Sequence, residues 1–183
     1  MRRCSLFVIL VVTSIGSLLF SGCSSKSDAG TKSAFARTTI DVGVVVSNVE
    51  KSAAFYKDAL GFTEVPGFEV SAEMGGGSGL TDNQPFKVRV FVLGNEPTAT
   101  KIKLMQFPKA PGKKVDHSFI HSSLGYSYLT IFVSDTAASV ERAKKAGAVI
   151  VKKPYKLGGN NYLTLVKDPD GNIIEFVGPT KSD

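Results

Sequence analysis

The residue best placed to do chemistry in this sequence is Glu175. It sits inside the apolar run Ile173-Ile174-Glu175-Phe176, directly after the turn Asp168-Pro169-Asp170-Gly171-Asn172. Carboxylates are rarely buried without a partner, so a strand that carries one implies a cation, a hydrogen-bond donor or a metal facing it. The turn is explicit: Pro169 presets φ for the first corner, and Gly171 takes a positive φ without strain. His117 and His121 lie four apart in a polar connector with Pro111-Gly112. They are candidate ligands, although such a connector ordinarily leaves its histidines in solvent. Arg89, Tyr155 and Tyr162 have the reach for a ligand, and equally for core or surface roles. The serines have no positioned histidine base. Gly75-Gly76-Gly77-Ser78-Gly79 lacks the strand–glycine–helix context of a phosphate loop and reads as a flexible loop or lid within 73–83.

What must position these groups is a chain of 183 residues, 43% hydrophobic and 21% charged, without tryptophan. This is the size of one domain or of two small modules sharing a core. Arg2 and Arg3 precede an apolar stretch, Leu6 to Phe20, that is short for a membrane span and suits a cleaved leader over residues 1–22. The ending Leu18-Leu19-Phe20-Ser21-Gly22-Cys23 resembles a bacterial lipoprotein signal, which implies palmitate-type lipidation of Cys23 and a membrane-bound place in the cell envelope, on the periplasmic or extracytoplasmic side. Loss of the leader removes two basic residues and no acid, so a net charge of +6 becomes +4. The lysine pairs 113–114, 144–145 and 152–153 are dispersed, and an exported protein meets little nucleic acid, so no nucleic-acid partner is expected. With Cys4 lost and Cys23 lipidated, no thiol remains for a disulfide, a nucleophile or a thiolate metal site. Residues 23–37 read as a flexible tether, with a reach of roughly 20 Å for the thirteen residues Ser24 to Ala36.

Beyond the tether the β-branched run predicts a strand over Thr38–Val46, a cap at Ser47-Asn48, then a helix from Val49 to Leu60. Val49, Ala53, Tyr56 and Leu60 give that helix one apolar face, and Gly61 ends it. Strands follow at 62–65, 86–93 and 102–107. The pattern then repeats: a strand at 126–133, a helix at 136–146 capped by Ser134-Asp135, and strands at 148–152, 162–167 and 173–178, with a loop at 154–161. Val46-Ser47-Asn48 recurs as Val133-Ser134-Asp135, 87 positions on. Each half is strand, helix and three strands. Neither closes a core easily by itself; paired, they form two curved sheets.

The segments Val46-Ser47-Asn48-Val49-Glu50-Lys51-Ser52-Ala53-Ala54-Phe55-Tyr56, Leu60-Gly61-Phe62 and Asp168 to Phe176, in that order, resemble the glyoxalase/bleomycin resistance/dioxygenase (vicinal oxygen chelate, VOC) superfamily. The resemblance implies an α+β fold in which two βαβββ modules form curved mixed sheets around a cleft with helices outside. The domain would span 38–179: module one 38–107, connector 108–124, module two 125–179. It also implies a small-molecule ligand and a possible homodimer. Enzymes of this superfamily typically hold one divalent metal with His, Glu or Gln side chains that polarise vicinal oxygens. The matching positions here are Asp41, Lys103, Tyr128 and Glu175, of which only Glu175 keeps the pattern. Period-two alternation independently puts these positions on one face, with Gly43 and Val45, with Met105 and Phe107, with Thr130 and Phe132, and with Ile173 and Val177.

A protonated lysine at a ligand position repels a divalent cation. Lys103 is therefore expected as the counter-ion of Glu175, and of Asp41, with Tyr128 donating to the same carboxylates. The expected protein is a lipid-anchored glyoxalase-like module that binds a small molecule without a cofactor. The alternative is a divergent metal-dependent enzyme, a lactoylglutathione-lyase-like lyase, an isomerase or a dioxygenase. It would use one divalent ion on Asp41 and Glu175 with a connector histidine, or Tyr128 and Glu175 as acid and base.

Overall fold

A computed structural model describes residues 35–181. The chain divides into two units, Met1–Ala36 and Arg37–Asp183. The leader, Cys23 and most of the tether lie outside the described residues. Both apolar core clusters fall within the second unit, which has the attributes of a domain that folds on its own. No helix among the described residues is long and apolar enough to cross a membrane.

The first module runs β1 (Asp41–Val45), α1 (Val49–Ala54) continued by a π-helical turn (Phe55–Ala59), β2 (Thr63–Val70), α2 (Ala72–Gly77), β3 (Phe86–Val92) and β4 (Lys101–Met105). Asn48 caps α1 by accepting from Lys51 N at 2.9 Å, which satisfies one of the amides a helix start leaves free. The second module runs β5 (Tyr128–Phe132), α3 (Thr136–Lys145), β6 (Val149–Ile150), β7 (Tyr155–Gly158), β8 (Asn161–Lys167) and β9 (Ile173–Pro179). Asp135 caps α3 from the equivalent place, accepting from Ala138 N at 3.1 Å.

The sheets have matching topology. The first is ordered β1-β4-β3-β2 and the second β5-β9-β8-β6, with β7 also on β8. In each, the first strand pairs parallel to the last, and the remaining pairs are antiparallel. Two differences from the sequence reading stand out. The stretch 154–161 contains a strand, β7, which pairs with β8 across the tight Gly158–Asn161 connection; its four exposed residues carry no burial pattern to announce it. The glycine-rich stretch is not a loop throughout. Its first half is helix α2, capped by Ser71 accepting from Met74 N. A Cβ on Gly75 would come within 2.4 Å of Thr81 Oγ1, and one on Gly76 within 2.0 Å of Asn83 Oδ1. These glycines serve close packing more than mobility.

One core joins the modules. Val42, Val44, Ile102, Leu104 and Phe91 of the first sheet meet Ile131, Val166, Ile174 and Phe176 of the second around α1 and α3. Polar contacts reinforce the junction. Arg142 of α3 donates to the carbonyls of Ala59 and Leu60 at 3.0 and 3.4 Å, capping the end of the first helix. Asp170 Oδ2 accepts from Ser47 N at 3.0 Å.

Candidate functional site

Alternation along the strands sends Asp41, Gly43, Val45, Lys103 and Met105 to the face opposite α1, and Tyr128, Thr130, Phe132, Glu175 and Val177 to the face opposite α3. Their neighbours in sequence fill the common core. These two surfaces are the site faces.

On the first, Asp41 is the centre. Its side chain is only 9% exposed, and its Oδ2 takes Lys103 Nζ at 3.0 Å and Arg37 Nη2 at 2.9 Å. Hydrogen bonding to Lys103 holds the Asp41 carboxyl below the usual aspartate value, against a smaller opposing effect of burial, and Arg37 adds to the lowering. Asp41 Oδ1 is buried and has no partner among the described residues. Met105 packs with Val70, Val88 and Val90, and Phe107 lies against the Phe86 ring at 5.1 Å between centroids.

On the second, Thr130 and Glu175 are register partners in the parallel β5–β9 pair, and Thr130 Oγ1 donates to Glu175 Oε2 at 2.7 Å. Tyr128 is 49% exposed and Phe132 81%. The expected Lys103–Glu175 pair does not form: among the described residues Lys103 is paired with Asp41 alone, and Glu175 with Thr130. The reason is register. Lys103 lies on β4, hydrogen-bonded to β1, whereas Glu175 belongs to a separate sheet with no strand pairing to the first. Tyr128 makes no hydrogen bond to either carboxylate among the described residues.

The histidines do not join the acids. The His117 carbonyl accepts from Lys167 Nζ at 2.8 Å, and the His121 ring stacks on Phe119 at 5.6 Å. Among the described residues no three His, Cys, Asp or Glu side chains cluster as a metal site. The donor set at the matched positions does not suit a divalent cation. An ammonium and a guanidinium already share one Asp41 oxygen, and a third cation there meets their repulsion.

Three residues take roles that the sequence reading did not assign to them. Arg37 looked like the end of the tether; its four-residue separation from Asp41 was the available signal. Arg89 forks onto Glu64 at 2.7 and 2.9 Å and reaches Glu50 at 2.8 Å, a structural triad away from the site faces. Asp168, buried in the turn, accepts from Asp170 N, Asn172 N and Asn172 Nδ2 at 2.7–2.9 Å. Burial raises its pKa in spite of those bonds, and burial together with the Asp168 charge pushes the Tyr56 hydroxyl up.

Two mixed sheets of the same topology, each with a parallel closing pair and a helix laid on one side, define a paired-module α+β protein. The model of the Glyoxalase/Bleomycin resistance protein/Dioxygenase superfamily matches residues 39–176, and the chain belongs to that superfamily. It is 25% identical over 134 residues to the lactoylglutathione lyase of Haemophilus influenzae, covering 72% of this chain and 85% of that one. It is 36% identical over 53 residues to a Vibrio cholerae protein named "Probable lactoylglutathione lyase", where the match spans 28% of this chain and only 38% of the relative. Among solved structures, a glyoxalase family protein from Bacillus cereus superposes with a TM-score of 0.67 at 22% identity, over 82% of this chain and 99% of that one, which is a likeness of fold.

Proposed function

We propose that this protein binds a small molecule on its site faces without a metal at the inherited position, that lipid on Cys23 holds it to the bacterial cell envelope, and that a second copy covers the open face of the second sheet. The observation that carries the metal-free reading is the ion cluster at Asp41. Lys103 Nζ, 3.0 Å from Asp41 Oδ2, occupies a matched ligand position and supplies in fixed form the positive charge a metal would bring. An anionic group on a ligand can share that ammonium, which is 32% exposed. The second copy is supported by β1 and β5, both edge strands, and by Tyr128 and Phe132 standing exposed beside β5.

The deciding measurement is the metal content of the purified, tagless unit Arg37–Asp183. The expected result is no stoichiometric metal. One equivalent of zinc, nickel, manganese or iron that disappears in Glu175→Gln overturns the reading. For the anchor, Cys23→Ser is expected to release the protein from membranes, and continued retention refutes lipidation there.

A second reading rests on Glu175. Its Oε2 is oriented by Thr130 at 2.7 Å, and two relatives carry lactoylglutathione lyase names. In that reading the protein is a divergent superfamily enzyme with Glu175 as base and Tyr128 as acid; turnover in a lactoylglutathione lyase assay that is lost in both Glu175→Gln and Tyr128→Phe supports it, and no turnover by the wild type overturns it.

A further inference from the structure

A cavity lies away from Asp41. It opens at the other end of β1, with a volume of about 650 Å³, between the ends of β1 and β4, the connector, and the Asp168–Asn172 turn. Val45 at this cavity is four steps of ~3.3 Å along β1 from Asp41, so the two places are about 13 Å apart along the strand.

The apolar part of the lining is Val45 from β1, Phe107 just after β4, and Pro111 and Val115 from the connector. Ser47, His117 and Asn172 add polar groups to the lining, and the remaining polar groups differ in availability. Asp170 is already engaged, its Oδ2 accepting from Ser47 N at 3.0 Å. Gln106 uses its Oε1 to accept from Val49 N at 3.0 Å, which fixes the amide and leaves its NH2 without a hydrogen bond among the described residues. Lys113 and Lys114 both line the cavity, and neither has an ion-pair partner among the described residues. Beside its apolar wall the cavity therefore offers the fixed Gln106 donor and two unpaired cations, against a single acid that is committed elsewhere.

A volume of several hundred cubic ångströms with apolar walls and a few polar groups is the usual form of a small-molecule site. Two cations beside low-dielectric walls favour an anion, because an attraction that water screens is stronger there. We infer that this cavity binds a small organic anion with an aromatic or otherwise apolar body, of the aromatic carboxylate class. The body packs against Phe107, Val45 and Pro111, and the carboxylate is held by Lys113, Lys114 and the Gln106 NH2. The cavity shares Val45 and Phe107 with the site face of the first sheet but uses none of Asp41, Lys103, Tyr128 or Glu175, so a ligand bound here is tested separately from the metal content that decides the reading of the ion cluster.

The test is isothermal titration calorimetry on the unit Arg37–Asp183, with 2-naphthoate as the probe and 2-naphthalenemethanol as its neutral match. The expected result is saturable single-site binding of 2-naphthoate, at least about tenfold tighter than the alcohol. Lys113→Ala/Lys114→Ala is expected to weaken the naphthoate by about tenfold or more, and Lys152→Ala/Lys153→Ala, a lysine pair outside the cavity, by less than about twofold. Gly112→Leu is expected to block binding of both probes. A Cβ there meets only Val45 Cγ1, at 3.8 Å, an ordinary contact, so the added side chain enters the cavity without disturbing the backbone. Far-ultraviolet circular dichroism checks that both cavity variants are folded. No saturable binding to the wild type overturns the inference. So does equal affinity for the alcohol, and so does naphthoate binding left within about twofold by the lysine pair or by Gly112→Leu.

Discussion

On the site face of the first sheet Val70, Val88 and Val90 are 3–4% exposed and pack with Met105, and the charged residue among them, Asp41, is neutralised by two cations. On the corresponding face of the second sheet Phe132 is 81% exposed, Tyr128 49%, and the charged residue, Glu175, has a single neutral partner in Thr130. The two sheets share topology, capping and register of the closing pair, so the difference is one of finish and not of fold. It teaches that a repeated module constrains its helix-side residues strongly, because they build a common core, and its opposite face weakly. There the first sheet carries an ion cluster at Asp41, while the second carries a carboxylate with a neutral partner beside an open apolar surface.

The contrast breaks most visibly under truncation. Val90→Ala is expected to cost about 2–3 kcal/mol in urea unfolding, because it empties packed space. Phe132→Ala, a larger deletion, is expected to change monomer stability by less than about 0.5 kcal/mol. A large loss at Phe132 in the monomer would mean the second face is covered by its own chain. Light scattering gives the complementary test: Phe132→Asp is expected to shift dimer to monomer, and an unchanged molecular mass would remove the second copy.

Next in size is the charge. Lys103→Met is expected to destabilise by about 1–3 kcal/mol, less than for a fully buried pair because the ammonium is partly solvated. Glu175→Gln is expected to fall within about 0.5 kcal/mol. The Lys103→Met/Asp41→Asn cycle is expected to show coupling of about 1–2 kcal/mol, and Lys103→Met/Glu175→Gln to be additive within about 0.5 kcal/mol. Coupling in the second cycle would restore the contact that the structure separates.

The smallest effect is pH dependence. Asp41 and Glu64, both in the first module, have lowered pKa values, caused first by hydrogen bonds to Lys103 and Arg89. A lowered folded-state pKa gives stability that is present above the unfolded value and lost as pH falls through the folded one, so the loss begins below about pH 4. Asp168, in the second module, is raised by burial and has the opposite sign: its cost at neutral pH is relieved as pH falls through its folded value. Urea midpoints followed from pH 6 to pH 2.5 are expected to fall less steeply in Asp41→Asn. A parallel course in variant and wild type would show that the ion cluster is not felt.

The order of elements, both helix caps and the division of each strand into core side and site side follow from local pattern, since periodicity and capping act over a few residues. Asn48, Asp135 and the Asp168–Asn172 turn could be read for that reason. β7 could not, because an exposed strand of four residues has no apolar alternation, and its existence depends on the edge that β8 presents. Helix α2 could not either, since its glycines are required by Thr81 and Asn83, residues brought back by the chain and not by the helix itself. At the candidate site, alternation separated Asp41 and Lys103 on the first sheet, and Tyr128 and Glu175 on the second, from the neighbours that fill the core. Which of them meet depends on which strands pair, and that is a property of sheet assembly. The sequence by itself determined the modules and the candidate residues, because these are set by short-range sterics and burial. Only the tertiary structure decided that Lys103 answers Asp41 and not Glu175, because the choice of partner belongs to long-range register, which no local pattern encodes.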